Sequence, residues 1–241
     1  ERSLQVARLR QDLTNGQRFD FAYSESHTSP MQLTDPNHLP LRPFVEHRFF
    51  HMLKRSNVPV GLFYRDVYWR FDQFKVAYPT PKWQVMTHFY RKEWGLIRKY
   101  VDHLFLPSMR MATALPTSWP SSSITPLPPG IITQPPRNNA TPAIDKRLRL
   151  IYVGGVTPPL YDLTPLIDSV HDLPDVHLTI CCRPDEWQKV ASHYRSASNV
   201  QIVHFSGKQL ASLYSTSDLA VIAREPHPYL DFAMPVKVFE A

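Results

Sequence analysis

The chain has 241 residues, of which 43% are hydrophobic and 20% charged, a balance close to that of globular domains and sufficient for one large core or two modest ones. This balance excludes a wholly disordered polyelectrolyte, and no run approaches the roughly 18 apolar residues of a membrane-spanning helix. A formal net charge of +6 points to an anionic partner; no nucleic-acid-binding motif accompanies it, so a phosphorylated ligand or an anionic membrane surface is expected rather than nucleic acid.

Residues 1–10 are charged and amphipathic, without the apolar stretch or cleavage site of a secretory signal. They also lack an initiator methionine, so the start reads as a boundary. A helix is expected over 3–13, a strand over 19–23, a helix over 42–55 and a strand over 58–64. A long helix follows over 82–100, in which Trp83, Met86, Tyr90, Trp94 and Ile97 recur at helical spacing as a core stripe. Arg91, Lys92, Arg98 and Lys99 fall toward solvent, as an ordinary charged face or one that attracts anionic headgroups at about 1 kcal/mol per residue. A strand over 103–106 closes this half. It opens on a helix where a doubly wound domain opens on a strand, so an initial unit is expected to be missing.

Eight of the 24 prolines lie between Pro116 and Pro142, a density that leaves no helix or central strand. Three segments result: a first domain over 1–115, a proline-rich linker over 116–146, and a second domain over 147–241. Asn139-Ala-Thr141 matches a glycosylation acceptor, read as chance without an export signal. In the second domain short strands are expected over 148–153, 176–180, 200–205 and 219–223. Amphipathic helices between them are marked by Leu163, Leu166, Ile167 and Val170, by Trp187, Val190, Ala191 and Tyr194, and by Leu210, Leu213 and Tyr214. Single helices between strands are crossover units, so the fold class is α/β with parallel, doubly wound Rossmann-like sheets that bind ligands at their carboxyl edges. Cys181 and Cys182, adjacent after a strand, are expected to be buried thiols in a reducing, cytoplasmic setting.

The chain closes on Pro235-Val-Lys237-Val-Phe-Glu240-Ala241. A strand end, a loop and a helix start form the place where a doubly wound domain holds phosphate. Lys237 and Glu240, three apart, share one helical face; the cation suits a diphosphate and the carboxylate suits ribose hydroxyls. The spacing alone fits a solvated surface pair at least as well. A helix beginning near Pro235 has little length before Ala241, so the second domain reads as truncated.

Taken in order, several segments resemble the GT-B fold of nucleotide-sugar glycosyltransferases, particularly glycosyltransferase family 4. Val58-Pro-Val-Gly-Leu-Phe-Tyr-Arg-Asp66 resembles the strand that ends in His-Asp near the cleft, and Asp102-His-Leu-Phe-Leu-Pro-Ser108 the last strand of the first domain. Leu127-Pro-Pro-Gly-Ile131 resembles the interdomain turn, and Ile151-Tyr-Val-Gly-Gly155 the glycine turn that opens the second domain. Phe205-Ser-Gly207 and the segment from Leu213 through Asp218 resemble the region around the base, and the terminal Pro-x-Lys-x-x-Glu the donor-ribose motif.

The resemblance implies transfer of a sugar from a nucleoside-diphosphate donor to the hydroxyl of a glycan or lipid-linked acceptor, with anomeric retention and neither cofactor nor metal. It implies Glu240 on the donor ribose, Lys237 on the diphosphate, Gly154 and Gly155 against phosphate or sugar, and Ser206 and Gly207 against the base. Arg183 would contact base or phosphate, or serve as a surface arginine; Asp66, which matches the cleft aspartate, and His27, which faces the acceptor or is merely solvated, are the candidate catalytic residues. The basic face suits peripheral contact with an anionic membrane at its cytoplasmic side.

Three positions depart from the family pattern. Many members carry two glutamates eight positions apart, yet eight before Glu240 stands Phe232, with Asp231 beside it. Gly155-Val-Thr-Pro-Pro-Leu-Tyr161 has no cation for the diphosphate, a charge that Lys237, Lys208 or Arg183 would have to supply. Arg65 occupies the place of the cleft histidine. These changes resemble a subgroup that uses the Pro-x-Lys-x-x-Glu signature alone. They also keep open a non-catalytic nucleotide-sugar-binding or scaffold protein, and a nucleotide-sugar epimerase on the same fold.

Overall fold

The computed structural model describes residues 2–130, 147–158, 161–223, 226–232 and 234. The remainder of the expected linker, including the Asn139 sequon, and the closing segment with Lys237 and Glu240 lie outside the described residues. The chain divides into two compact units, one comprising Glu1–Pro129 with Pro228–Met234 and the other Gly130–His227 with Pro235–Ala241. Both described sheets are parallel, in the α/β class expected.

In the first unit the strands β1 (Ala22–Glu25), β2 (Val60–Phe63), β3 (His103–Leu106) and β4 (Ile124–Pro126) lie side by side in chain order, every pair parallel. Helices α1 (Arg2–Thr14), α2 (Val45–Arg55), α3 (Asp72–Ala77) and α4 (Lys82–Tyr100) make the connections or flank them. β3 and α4 occupy the expected spans. β1 begins later than expected, because its ladder starts where the Ala22 amide reaches the Pro59 carbonyl at 2.8 Å. Within the expected linker, β4 joins the sheet beside β3 alone. An edge position suits this proline-rich stretch, since a proline there costs no central ladder bond.

Leu62, Leu104, Leu106 and Ile97 are fully buried and form the centre of this core with Phe50 and Leu53 of α2. On α4, Met86, Tyr90, Trp94 and Ile97 are buried and Trp83 is half-buried, while Arg91, Lys92, Arg98 and Lys99 are exposed. The helical spacing therefore sorted the two faces as physics requires.

Two polar features tie the helices to the loop after β1. Arg2, at the start of α1, donates to Asp35 at 2.7 Å and to buried Glu46 of α2 at 2.6 Å. Glu93 of α4 is almost wholly buried and accepts the Met31 amide at 2.6 Å. Burial dominates that amide bond and pushes the Glu93 carboxyl up to about 8 from its ordinary 4.5; burial raises Glu46 as well.

The first unit is completed from the far end of the chain. Phe232 is buried in its core, with Tyr229 packed against the same cluster, and both rings contact Phe71. The Ser108 hydroxyl, just beyond β3, donates to the Phe232 carbonyl at 2.9 Å. Phe232 is thus a core residue at the position where the family pattern led to an acid. A carboxylate there would lose its hydration among aromatic rings.

The second unit holds β5 (Leu148–Val153), β6 (Val176–Cys181), β7 (Val200–Val203) and β8 (Leu219–Ala220) in the order β7-β6-β5-β8, again all parallel. Helices α5 (Thr164–His171), α6 (Pro184–Val190) and α7 (Gly207–Thr216) alternate with them. Leu178, Ile180, Leu163, Ile167 and Val156 form a separate core. Cys181 and Cys182 are buried free thiols, and burial pushes Cys182 up to about 11.

Phe232→Ala is expected to destabilise the first unit by roughly 3–5 kcal/mol, the cost of emptying a buried phenylalanine site. Urea unfolding followed by tryptophan fluorescence checks this, because Trp69, Trp83, Trp94 and Trp119 report on the first unit and Trp187 alone on the second. The raised Glu93 carboxyl carries a pH signature. Between 4.5 and about 8 the folded state retains a proton that the unfolded chain releases; stability therefore falls as pH rises through this window and levels off above it. Glu93→Gln should flatten that slope in urea titrations at several pH values.

Candidate functional site

Parallel strands bring their carboxyl ends to one edge of each sheet, so the loops that follow them cluster there. In the second unit the chain steps outward from β5 to β6 to β7 and then returns to the other side of β5 for β8. Strand order reverses between β5 and β8. Such a switch point opens a crevice beyond the two strand ends, the usual ligand position in an open α/β sheet.

A charged pair holds β8 beside β5 from the amino ends of the two strands, the end away from the crevice. β8 is two residues long, and Asp218 immediately before it accepts from the Arg149 guanidinium at 3.1 and 2.9 Å and from the Arg149 amide at 2.8 Å. These bonds hold the Asp218 carboxyl down to about 2. The Asp218 amide returns a bond to the Arg149 carbonyl at 2.8 Å, and beyond β8 the Val221 amide continues the ladder to Ile151.

Gly154 and Gly155 form the turn after β5, at the mouth of the crevice. A Cβ on Gly154 would stand 2.8 Å from the Tyr152 hydroxyl, and one on Gly155 would stand 3.0 Å from the Tyr161 ring. The Tyr152 hydroxyl donates to the Gly155 carbonyl at 2.7 Å. The two glycines thus have a packing role of their own, with tyrosines where side chains would be.

Arg183 follows β6 and is strongly exposed, paired with Glu186 at 3.1 Å. The guanidinium end of this pair stands in solvent, where water screens the attraction. Ser206 and Gly207 follow β7. Gly207 has φ +53 with open space around it, so glycine is favoured there by backbone conformation rather than by crowding. The loop is tied to the end of β6 by the His204 ring on the Cys182 carbonyl at 2.8 Å.

Helix N-termini on this edge differ in charge. Asp162 accepts from the Thr164 amide and hydroxyl at 2.9 and 2.7 Å, so the start of α5 already holds a carboxylate, kept below its ordinary pKa by those bonds. α6 carries Asp185 and Glu186 in its first turn. α7 has no acidic residue in its first turn, begins Gly207-Lys208, and Ser206 makes no capping bond from its side chain. Of the three, its start is the one electrostatically open to an anion.

In the first unit His27, Asp66 and Ser108 follow β1, β2 and β3 on one edge. His27 is exposed, and its Nδ1 accepts the Ser29 amide at 3.1 Å. Asp66 is half-buried: one carboxylate oxygen accepts the Tyr68 amide at 2.7 Å and the other the Tyr229 hydroxyl at 2.9 Å. Burial raises its pKa, and the Tyr229, Tyr68 and Val67 bonds and the Arg65 charge pull it back. No hydrogen bond joins His27 to Asp66 among the described residues. Arg65 stands in the place of the cleft histidine for a local reason. Its guanidinium reaches Glu25 at 3.1 Å and its amide donates to the Ser26 hydroxyl at 2.8 Å, clasping the ends of β1 and β2. Tyr229 was not anticipated from sequence, and the only signal for it was the apolar content of residues 228–234 in an apparent loop. Lys237 and Glu240 lie outside the described residues. Among the described residues no group of three His, Cys, Asp or Glu side chains is placed to hold a metal ion.

No protein-family model matches the sequence, and no curated protein matches it. Among solved structures, HepE of Anabaena in complex with UDP and glucose aligns with a TM-score of 0.49 at 12% identity, over 89% of this chain and 54% of that one. MnaA of S. aureus with UDP gives 0.45 at 13% identity, over 91% and 57%. The glycosyltransferase of kitacinnamycin gives 0.45 at 12% identity, over 91% and 56%. The chain spans little more than half the length of these structures. Its fold assignment stands on its own strand order.

Proposed function

We propose that the chain is part of a GT-B-type glycosyltransferase that moves a sugar from a nucleoside-diphosphate donor to an acceptor hydroxyl on a glycan or lipid-linked molecule, in polysaccharide or cell-envelope synthesis. The observation that carries this reading is the switch point between β5 and β8, with the Gly154-Gly155 turn on one side and the chain leading to Pro-x-Lys-x-x-Glu on the other. Ser206 and Gly207 at the start of α7, whose first turn carries no acid, and exposed Arg183 supply further donor contacts on the same edge. Lys237 takes the diphosphate and Glu240 the ribose, roles that rest on the sequence motif.

In this mechanism charge develops on the departing diphosphate, and Lys237 and helix N–H groups stabilise it where it forms. Retention at the anomeric carbon is the family's outcome. Asp66 and His27 lie on the acceptor side, and the protein works at the cytoplasmic face of an anionic membrane.

A second reading, donor binding without turnover, is favoured by two observations. Both Asp66 oxygens already accept hydrogen bonds, and Phe232 replaces an expected acid with a core aromatic.

Calorimetry with uridine, guanosine and adenosine diphosphates is expected to show binding of one of them. Lys237→Ala and Glu240→Ala should each weaken it roughly tenfold or more, the loss of a charge-assisted hydrogen bond, with the melting temperature unchanged. Unchanged binding with a large stability loss would return the pair to a surface role. Release of the diphosphate from the matching sugar donor in the presence of acceptor distinguishes transfer from binding alone, and interconversion of donor epimers would assign an epimerase.

A further inference from the structure

The loop between Asp35 and α2 carries Leu39, Leu41 and Phe44 with exposures of 51%, 62% and 66%. Three large apolar side chains within six residues are left uncovered on a loop that leads directly into a helix. Phe44 is the N-cap of α2, and Arg48, His51 and Arg55 follow it at intervals of four, three and four. These intervals place all four on one face, and all four are exposed. The result is an apolar tip that continues into a basic stripe.

The stripe itself carries no carboxylate, and Asp102, beside the last turn of α2, is paired with Lys54 at 3.8 Å. Between Asp35 and Asp66 the sequence contains a single carboxylate, Glu46; it is buried and bound to Arg2. Arg42 in the loop is exposed. Right-handed crossovers put α2 and α4 on the same face of the sheet, where they touch. Lys99 of α4, whose Nζ lies over the Tyr100 ring that His47 and His51 also contact, adds a further positive charge beside α2.

We infer that this face of the first unit, with Leu41 and Phe44 as its inserted tip and the Arg48 to Arg55 stripe at the headgroups, is where the protein docks on an anionic lipid bilayer. Apolar side chains set beside a cationic stripe match the two layers of a bilayer surface, hydrocarbon beneath and anionic headgroups above. A soluble polyanion such as nucleic acid would use the stripe and leave the tip in water. The inference deepens the membrane part of the proposed function and rests on that part alone. Vesicle binding needs no donor, so its failure and a failure of sugar transfer are separate results.

The test is flotation of the full chain with vesicles of phosphatidylcholine and phosphatidylglycerol, against phosphatidylcholine alone. Wild type is expected to float with the anionic vesicles only. L41S/F44S and R48E/R55E should each lose roughly tenfold in vesicle affinity, with melting temperatures checked in parallel. Phe44→Trp, which keeps the tip apolar, should add blue-shifted emission when anionic vesicles are present. The inference is overturned if wild type does not float, if neutral vesicles bind equally, or if the Phe44→Trp emission does not shift. Undiminished binding of L41S/F44S would also overturn it, and would assign the stripe to a soluble polyanion.

Discussion

Parallel pairing governs this molecule. Each of the six strand pairs in the two sheets runs parallel, and parallel neighbours cannot be joined by a tight turn. Each connection has to leave one end of the sheet and return to the other, so the segments that follow the strands gather at one edge. There they have no ladder to complete and are available for chemistry. The Gly154-Gly155 turn, Arg183, Ser206 and Gly207 reach a common edge by this constraint, as do His27, Asp66 and Ser108 in the other unit. The Arg149–Asp218 clasp adds the asymmetry that topology needs, because a two-residue strand has few backbone bonds with which to hold its place beside β5.

Much of this was readable from residue spacing. α4 is long enough for its apolar stripe to repeat several times, and β5 carries the apolar run Leu150-Ile-Tyr-Val153 in the middle of a sheet, so both occupy the spans expected of them. Strands expected over 200–205 and 219–223 are shorter in the structure, Val200–Val203 and Leu219–Ala220. Their apolar character continues past the last ladder bond into residues such as Phe205 and Ile222, which are exposed loop positions. Hydrophobicity marks the element but not where its pairing stops.

The carboxyl edge of the first sheet was only half legible. Asp66 could be placed after a strand from its neighbours, but its partner Tyr229 is 163 positions away, and nothing in local spacing links the two. Phe232 was conspicuous because an acid was expected there. Its reason, a place among Phe71, Tyr229 and the core of the first unit, exists only once the chain has folded back. Helix ends were legible in part: Asp185 and Glu186 are plain in sequence, whereas Asp162 acts at α5 through an Asx-type bond to Thr164 that requires the turn to form.

The return of residues 228–234 to the first unit has a consequence for how such a chain can be cut and recombined. The two units are not interchangeable cassettes, because the first is assembled from two separate stretches of sequence. A break at Pro129 would carry away the aromatic ring that fills the first unit's core and the hydroxyl that satisfies Asp66. Any exchange of the second unit between related chains therefore has to preserve Tyr229 and Phe232, which belong to the first. The boundary of inheritance lies in the segment after β8 as well as at the linker.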